Sequence, residues 1–287
     1  MSEPGAALAF EVFAEGLDHP EGVAWGPDGY VYAGGEAGQI YRVSLTGEVE
    51  QFASTGGFIL GICLDGDANV YACDSGRGAI MRISPEGEVE AYFEGNDGRR
   101  LVGPNYAVFD REGNLYFSES GGFHEDNGRI WVVRPGGRGE VLRDDLSAFP
   151  NGLALSPDEH YLYVVLSTLP GIARVPLGGG AAETIALLER KVPDGIAFDA
   201  AGALYISCYT PDEIFRLGPG GGDPVLVAED WERTVLAAPT NVAFCGAGLG
   251  TLVAANLGRW HLSKAEAPVA GAPCNYPKVP AGRRPNS

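Results

Sequence analysis

His19-Pro20-Glu21-Gly22-Val23-Ala24-Trp25 opens a pattern that returns along the whole chain. Later copies read Pro104-Asn105-Tyr106-Ala107-Val108-Phe109, Pro150-Asn151-Gly152-Leu153-Ala154-Leu155, Pro193-Asp194-Gly195-Ile196-Ala197-Phe198 and Pro239-Thr240-Asn241-Val242-Ala243-Phe244. A further copy, Ile59-Leu60-Gly61-Ile62-Cys63-Leu64, keeps the apolar run but lacks the Pro and the polar residue. Each copy is built on one variable residue followed by a short apolar run. That residue is Glu21, Leu60, Asn105, Asn151, Asp194 and Thr240 in turn, at intervals of 39, 45, 46, 43 and 46 residues. A period of about 40–50 residues marks a solenoid, a propeller or an array.

What fills each interval selects among these. In the first repeat an apolar run at 22–25 meets the turn Gly26-Pro27-Asp28-Gly29, then strands at 30–33, 39–43 and 49–52, with Thr46-Gly47 as a hairpin. The order recurs: Asp110-Arg111-Glu112-Gly113, Ser156-Pro157-Asp158-Glu159 and Asp199-Ala200-Ala201-Gly202 each precede a second strand. The triple-Gly runs at 178–180 and 220–222 read as hairpins between third and fourth strands. No segment sustains a helical period. The expected fold is all-β: a six-bladed β-propeller with four antiparallel strands per blade. The last repeat is one strand short, and the N-terminal stretch at about 8–15 is expected to complete it and close the ring. Residues 1–287 then form a single propeller domain, with a loose Pro- and Arg-rich tail over 278–287.

In such a ring the residue just before each innermost strand sits at the channel mouth, so six positions distant in sequence converge on one axis. Polar groups there are costly unless they face water, a metal or each other. Glu21, Asn105, Asn151 and Asp194 place two carboxylates and two amides among the six. These are hard oxygen ligands, suited to one divalent cation: Ca²⁺, Mg²⁺ or Mn²⁺, with Zn²⁺ as a replacement and Ca²⁺ favoured. Such an ion polarises a carbonyl and acidifies water, and a carboxylate beside it can act as base.

Composition narrows the partners. A net charge of −18 disfavours nucleic acid. The start MSEPGAALAF lacks a signal peptide's basic and apolar regions, and no stretch is long enough to span a membrane. The five cysteines, 63, 73, 208, 245 and 274, have no CxxC spacing and read as reduced thiols, giving an expected cytoplasmic location. A monomer or weak homo-oligomer is expected. No GxSxG elbow, HExxH or phosphate loop is present.

The stretches HPEGVAW, GPNYAVFDREGNLYFSES, FPNGLALSPDEHYLYVV and VPDGIAFDAAGALYIS resemble the family of gluconolactonase, regucalcin (senescence marker protein) and luciferin-regenerating enzyme, over about residues 8–262. The resemblance implies a six-bladed propeller holding one divalent cation at the channel mouth. It implies Glu21, Asn151 and Asp194 as metal ligands, Asp194 also as catalytic general base, and Asn105 as a substrate contact. The implied reaction is metal-dependent hydrolysis of a small lactone to a hydroxy acid. Where the family often reads Pro-Asn-Asp, this chain has Pro104-Asn105-Tyr106, which bears on substrate identity. The family's sugar-acid lactonases use an Arg from the second-blade region, for which Arg77 and the Arg99-Arg100 pair are candidates.

Tyr106, with Phe58, is a candidate apolar wall of the substrate pocket. His124, in the 121–127 insertion between the second and third strands of the third blade, and Glu119 are candidate substrate contacts, since loops there can overhang the mouth. Asp74, His19 and Trp260-His261 are weaker candidates near it. Two other readings stand beside the lactonase. One is a same-fold enzyme with non-hydrolytic chemistry, as in strictosidine-synthase-like proteins. The other is a metal-binding propeller scaffold without catalysis.

Overall fold

Turn chemistry divides each repeat. After the innermost strand of the second blade, Asp65 Oδ1 accepts from the backbone N–H of Asp67 and Asn69 at 3.0 and 2.9 Å. Asp110 does the same for Glu112 and Asn114, and Asp199 for Ala201 and Ala203. An Asp that satisfies two backbone donors makes the reversal compact and frees the next apolar run to pair as a strand. In the computed structural model, which describes residues 7–96 and 99–280, the result is six four-stranded antiparallel sheets and no helix among the described residues. The sheets form a six-bladed β-propeller, as expected.

Blades one to five run from channel to rim in chain order. The first comprises Val23–Trp25, Val31–Gly34, Gln39–Val43 and Val49–Ser54. The innermost strands of blades two to six are Ile59–Leu64, Pro104–Phe109, Pro150–Leu155, Val192–Phe198 and Pro239–Cys245. The sixth blade adds Thr251–Asn256 and His261–Glu266, and its outermost strand is Glu11–Glu15 from the N-terminal region. Glu11 pairs with Lys264 and Glu15 with His261, so the ring is closed by the strand the sequence assigned to that role. It begins at Glu11 rather than residue 8; Leu8 N–H instead donates to Val227 O of blade five at 2.6 Å.

The core lies between blades. One cluster joins Tyr71 and Ile80 of blade two to Phe109, Phe117 and Trp131 of blade three; another joins Val31 and Tyr41 of blade one to Val253 and Leu262 of blade six. Near the axis the innermost strands approach closely. A Cβ on Gly22 would meet Leu60 O at 2.1 Å, and one on Gly152 would meet Asp194 O at 2.4 Å. Glycine at these phases lets the next blade's backbone come within contact.

The far end of the channel is closed by the C-terminal segment. Ala272 N–H donates to Phe198 O, Asn275 Nδ2 to Phe109 O, the Tyr276 hydroxyl to Trp25 O, and Gly66 N–H to Pro277 O. This segment touches blades five, three, one and two in turn. Beneath it lies a chamber of 170 Å³, lined by Ala24, Cys63, Val108, Ala197 and Ala243 among others. Of the expected loose tail from 278, Val279 is buried, within the apolar cluster between blades two and three. Residues 281–287 lie outside the described residues. Cys73, Cys208 and Cys245 are buried, whereas Cys63 faces the chamber.

Removing residues 1–15 leaves His261–Glu266 as an open edge and uncovers Leu262. The truncated chain is expected to self-associate by light scattering and to unfold at a lower urea concentration. An unchanged midpoint in a monodisperse sample would contradict closure by this strand.

Candidate functional site

Glu21 lies two residues before its innermost strand, whereas Leu60, Asn105, Asn151, Asp194 and Thr240 lie inside theirs, at register shifts. Pairing breaks between Pro104 and Ala107, Pro150 and Leu153, Pro193 and Ile196, and Ile59 and Ile62. An unpaired stretch within a ladder bends the strand and re-aims a side chain. Here it turns Asn105, Asn151 and Asp194 toward the axis. Hydroxyls from neighbouring strands hold these irregular stretches. Ser118 Oγ donates to Asn151 O at 2.7 Å, Ser167 Oγ to Pro193 O at 2.7 Å, Ser207 Oγ to Thr240 O at 2.8 Å, and Thr240 Oγ1 to Glu21 O at 2.8 Å. The entry residues His19, Phe149 and Ala238, each just before a Pro, carry positive φ of 41°, 52° and 48°. Such backbone costs on the order of 1–3 kcal/mol per residue and gathers at functional sites.

Glu21, Asn105, Asn151 and Asp194 are all buried, at 3–5% exposure. Among the described residues, Glu21 Oε2, Asn105 Oδ1, Asn151 Oδ1 and Asp194 Oδ1 have no hydrogen-bond partner. Asn151 Nδ2 donates to Ser167 Oγ at 3.2 Å, which leaves its carbonyl oxygen available to the axis. Burial pushes the Glu21 carboxyl well above the usual carboxylate range, and the facing Asp194 charge pushes it further. Burial also raises Asp194, with the adjacent Asn151 amide pulling the other way. Two acids that repel each other in a dry site, beside two unused amide oxygens, form a donor set matched to one hard divalent cation. The residues present therefore fit the metal that the sequence anticipates.

The other positions divide. Thr240 serves as an inter-blade clasp rather than a donor to the axis. Leu60, half-buried, makes the second-blade sector apolar. Tyr106 is buried and packs with Ile130, Leu153 and Leu162 between blades three and four, its phenol pushed up by burial. Glu119 is 1% exposed and its oxygens are already engaged: Oε1 accepts from Val102 N–H at 2.7 Å, and Oε2 from Trp131 Nε1 at 2.7 Å and Arg99 Nη2 at 3.4 Å. It anchors the strand entry at 99–103 and holds Arg99 near the mouth. His124 lies on an exposed loop, against Phe123, outside the oxygen cluster. Asp74 Oδ1 accepts from Phe58 and Arg77 N–H as a turn residue. His19 pairs with Asp18 and Glu36 and packs on Trp260 at 5.0 Å.

Sequence reading missed two features. The serine and threonine clasps sit in runs such as Tyr116-Phe117-Ser118 and Tyr205-Ile206-Ser207, where a small polar residue inside an apolar strand was the available signal. Asn241 is fully buried, with both amide atoms unpartnered, and lies against Gly195. Four other blades have Gly at this phase, so an amide here was the visible departure.

Residues 19–256 match the SMP-30/Gluconolactonase/LRE-like region, and the chain belongs to that family. Protein STRICTOSIDINE SYNTHASE-LIKE 6 of Arabidopsis thaliana is 29% identical over 211 residues, covering 67% of this chain and 56% of its own. A gluconolactonase of Zymomonas mobilis is 31% identical over 180 residues, covering 54% of this chain and 50% of its own. The chain thus spans about half the length of these curated relatives. A solved calcium-binding regucalcin of Agrobacterium tumefaciens superposes with a TM-score of 0.80 at 18% identity, over 96% of this chain and 99% of that one, a likeness of fold.

The site is strained without a cation, which fixes a sign. A carboxyl whose native pKa is raised binds a proton that the unfolded chain releases at lower pH. The metal-free fold therefore loses stability as pH rises from the ordinary carboxylate range through the raised native values. Glu21→Gln removes that burden and is expected to stabilise the chelator-treated protein by about 1–2 kcal/mol at neutral pH in urea unfolding. A destabilised variant would contradict this description of the site.

Proposed function

We propose that this protein is a divalent-metal-dependent hydrolase that opens a small lactone to a hydroxy acid. The observation that carries the reading is the set of four buried, unpartnered oxygens on Glu21, Asn105, Asn151 and Asp194. The kinship with gluconolactonase of Zymomonas mobilis supports lactone hydrolysis, and the fold likeness to a calcium-binding regucalcin is in keeping with Ca²⁺.

Glu21, Asn151 and Asp194 hold the cation. When bound it supplies Lewis acidity to a carbonyl oxygen and lowers the pKa of water beside it. Asn105 contributes an amide that orients the substrate at the same mouth. Asp194 takes the proton from the attacking water as its oxygen bonds to the lactone carbonyl carbon. The ring C–O bond then breaks, and the released alkoxide is protonated to the hydroxyl of the product. Asp194 suits the base role by position, as a buried carboxylate with one oxygen free of hydrogen-bond partners among the described residues. Asn151 is held by Ser167, so the amide is oriented before substrate arrives.

Similarity to a strictosidine-synthase-like protein favours a second reading, in which the same cation site serves a non-hydrolytic reaction. A neutral lactone panel with and without Ca²⁺, Mg²⁺, Mn²⁺ and Zn²⁺ separates the two. Cation-dependent acid release is expected. Asp194→Ala and Glu21→Ala are each expected to lower kcat/KM at least about 100-fold while leaving the far-ultraviolet circular dichroism unchanged. Cation binding without acid release from any lactone would favour the second reading. Full turnover by either variant in chelator would overturn the mechanism.

A further inference from the structure

The channel mouth is not the only concavity on its face. A groove of 620 Å³ lies between blades three and four, lined from the loops at that end out to Thr184 on the outermost strand of blade four. That volume falls in the range of small-molecule sites. One wall is the insertion at 120–128; the other is the segment at 144–149 with the turn at 167–170. Its apolar surface comes from Phe123, Leu146, Ala148, Leu166 and Leu169.

The walls are built rather than incidental. Gly128 N–H donates to Ser147 O at 3.2 Å, Ser167 N–H to Phe149 O at 3.1 Å, and Thr168 N–H to Ala148 O at 3.4 Å. Asn127 braces the insertion through Gly122 N–H and Glu125. Phe123 packs edge-on against Phe149 at 5.0 Å. The chain links the groove wall to the candidate metal centre. Phe149 stands two residues before Asn151, and Ser167, which accepts from Asn151, is followed by Thr168 in the groove wall.

Two large apolar side chains on this groove stand in water: Phe123 is 48% exposed and Leu169 is 50% exposed. Tyr209, near the end of the strand Leu204–Thr210, and the loop residues Trp231 and Trp260 are exposed at the same end of the propeller. Apolar groups gathered beside a site mark a ligand surface rather than random exposure. The sectors nearest the oxygens agree. Leu60 replaces the polar residue in blade two and cannot hydrogen-bond a hydroxyl. Charge excludes one class of arm. His124, Asp126 and Asp145 line the groove, with Asp145 ion-paired to Arg143, and an anionic substituent meets Asp126, which forms no ion pair among the described residues.

We infer that this groove receives the apolar arm of the substrate, so that the hydrolase acts on neutral lactones or esters bearing an extended alkyl or aryl substituent. The inference rests on the hydrolase reading and names its substrate class. The carbonyl sits among Glu21, Asn105, Asn151 and Asp194, and the arm runs over Phe149 to lie between Phe123 and Leu169. Binding energy along the arm fixes the ring over Asp194.

The test uses the cation-loaded full chain and γ-lactones whose alkyl substituent grows from methyl to hexyl. kcat/KM is expected to rise by about fourfold per buried methylene until the groove is filled, chiefly through KM. In Phe123→Ser/Leu169→Ser that chain-length dependence is expected to flatten. A second measurement is calorimetric binding of the matching γ-alkyl lactams, with the same dependence in the wild type and the same flattening in the variant. Turnover with no chain-length dependence, or an equal dependence in the variant, would overturn the groove assignment and leave hydrolysis standing. Chain-dependent lactam binding without turnover of any lactone would overturn hydrolysis and support the groove.

Discussion

Two carboxyls, Glu21 and Asp194, are brought together out of water with no hydrogen-bond partner on one oxygen of each. An unpaired ionised group in such a place costs several kcal/mol. The rest of the molecule can be understood as what holds that arrangement. Closure of the ring fixes the six innermost strands at one axis. Interrupted pairing in those strands turns side chains inward instead of along the sheet. Ser118, Ser167, Ser207 and Thr240 pin the irregular backbone to the next blade. Inter-blade apolar clusters supply the stability that the mouth does not. A site strained in this way gains the most from a cation, since the ion turns mutual repulsion into shared attraction.

The six blades are alike in backbone and unlike in what they offer the mouth. Blades one, three, four and five supply oxygens, blade two supplies Leu60, and blade six uses its threonine to clasp blade one. This asymmetry makes a directional site from a nearly symmetric scaffold. Oxygens from blades three to five face the one from blade one across the axis, an apolar sector lies at blade two, and a groove opens between blades three and four. At the other end the C-terminal segment covers an apolar chamber, which separates floor from mouth.

Much of this was legible in the sequence because a propeller repeats its signals. The Pro, the variable residue and the apolar run return at one spacing, so even the unusual blade with Leu60 could be aligned. Glu21, Asn105, Asn151 and Asp194 were visible because they share a repeat phase, and the structure brings all four to the mouth as buried oxygens without partners. The short last repeat foretold closure by Glu11–Glu15. What was not legible depends on contacts between blades. Glu119 read as a candidate substrate contact, and in the structure Trp131, Val102 and Arg99 take up its oxygens. His124 was read as a substrate contact from its insertion, and which cavity that loop lines, the groove between blades three and four, depends on its contacts with the next blade. Val279 looked like part of a loose tail because nothing local shows the apolar cluster between blades two and three that covers it. The interrupted pairing inside the innermost strands leaves no residue type that announces it, since Asn, Asp and Leu all occupy the same phase.

The most direct test of the account is anomalous diffraction from crystals grown with Mn²⁺. The account predicts one peak on the propeller axis, within coordination distance of Glu21, Asn151 and Asp194, and its loss in Asp194→Ala crystals of unchanged fold. A peak at another place, or no peak at saturating cation, would contradict it.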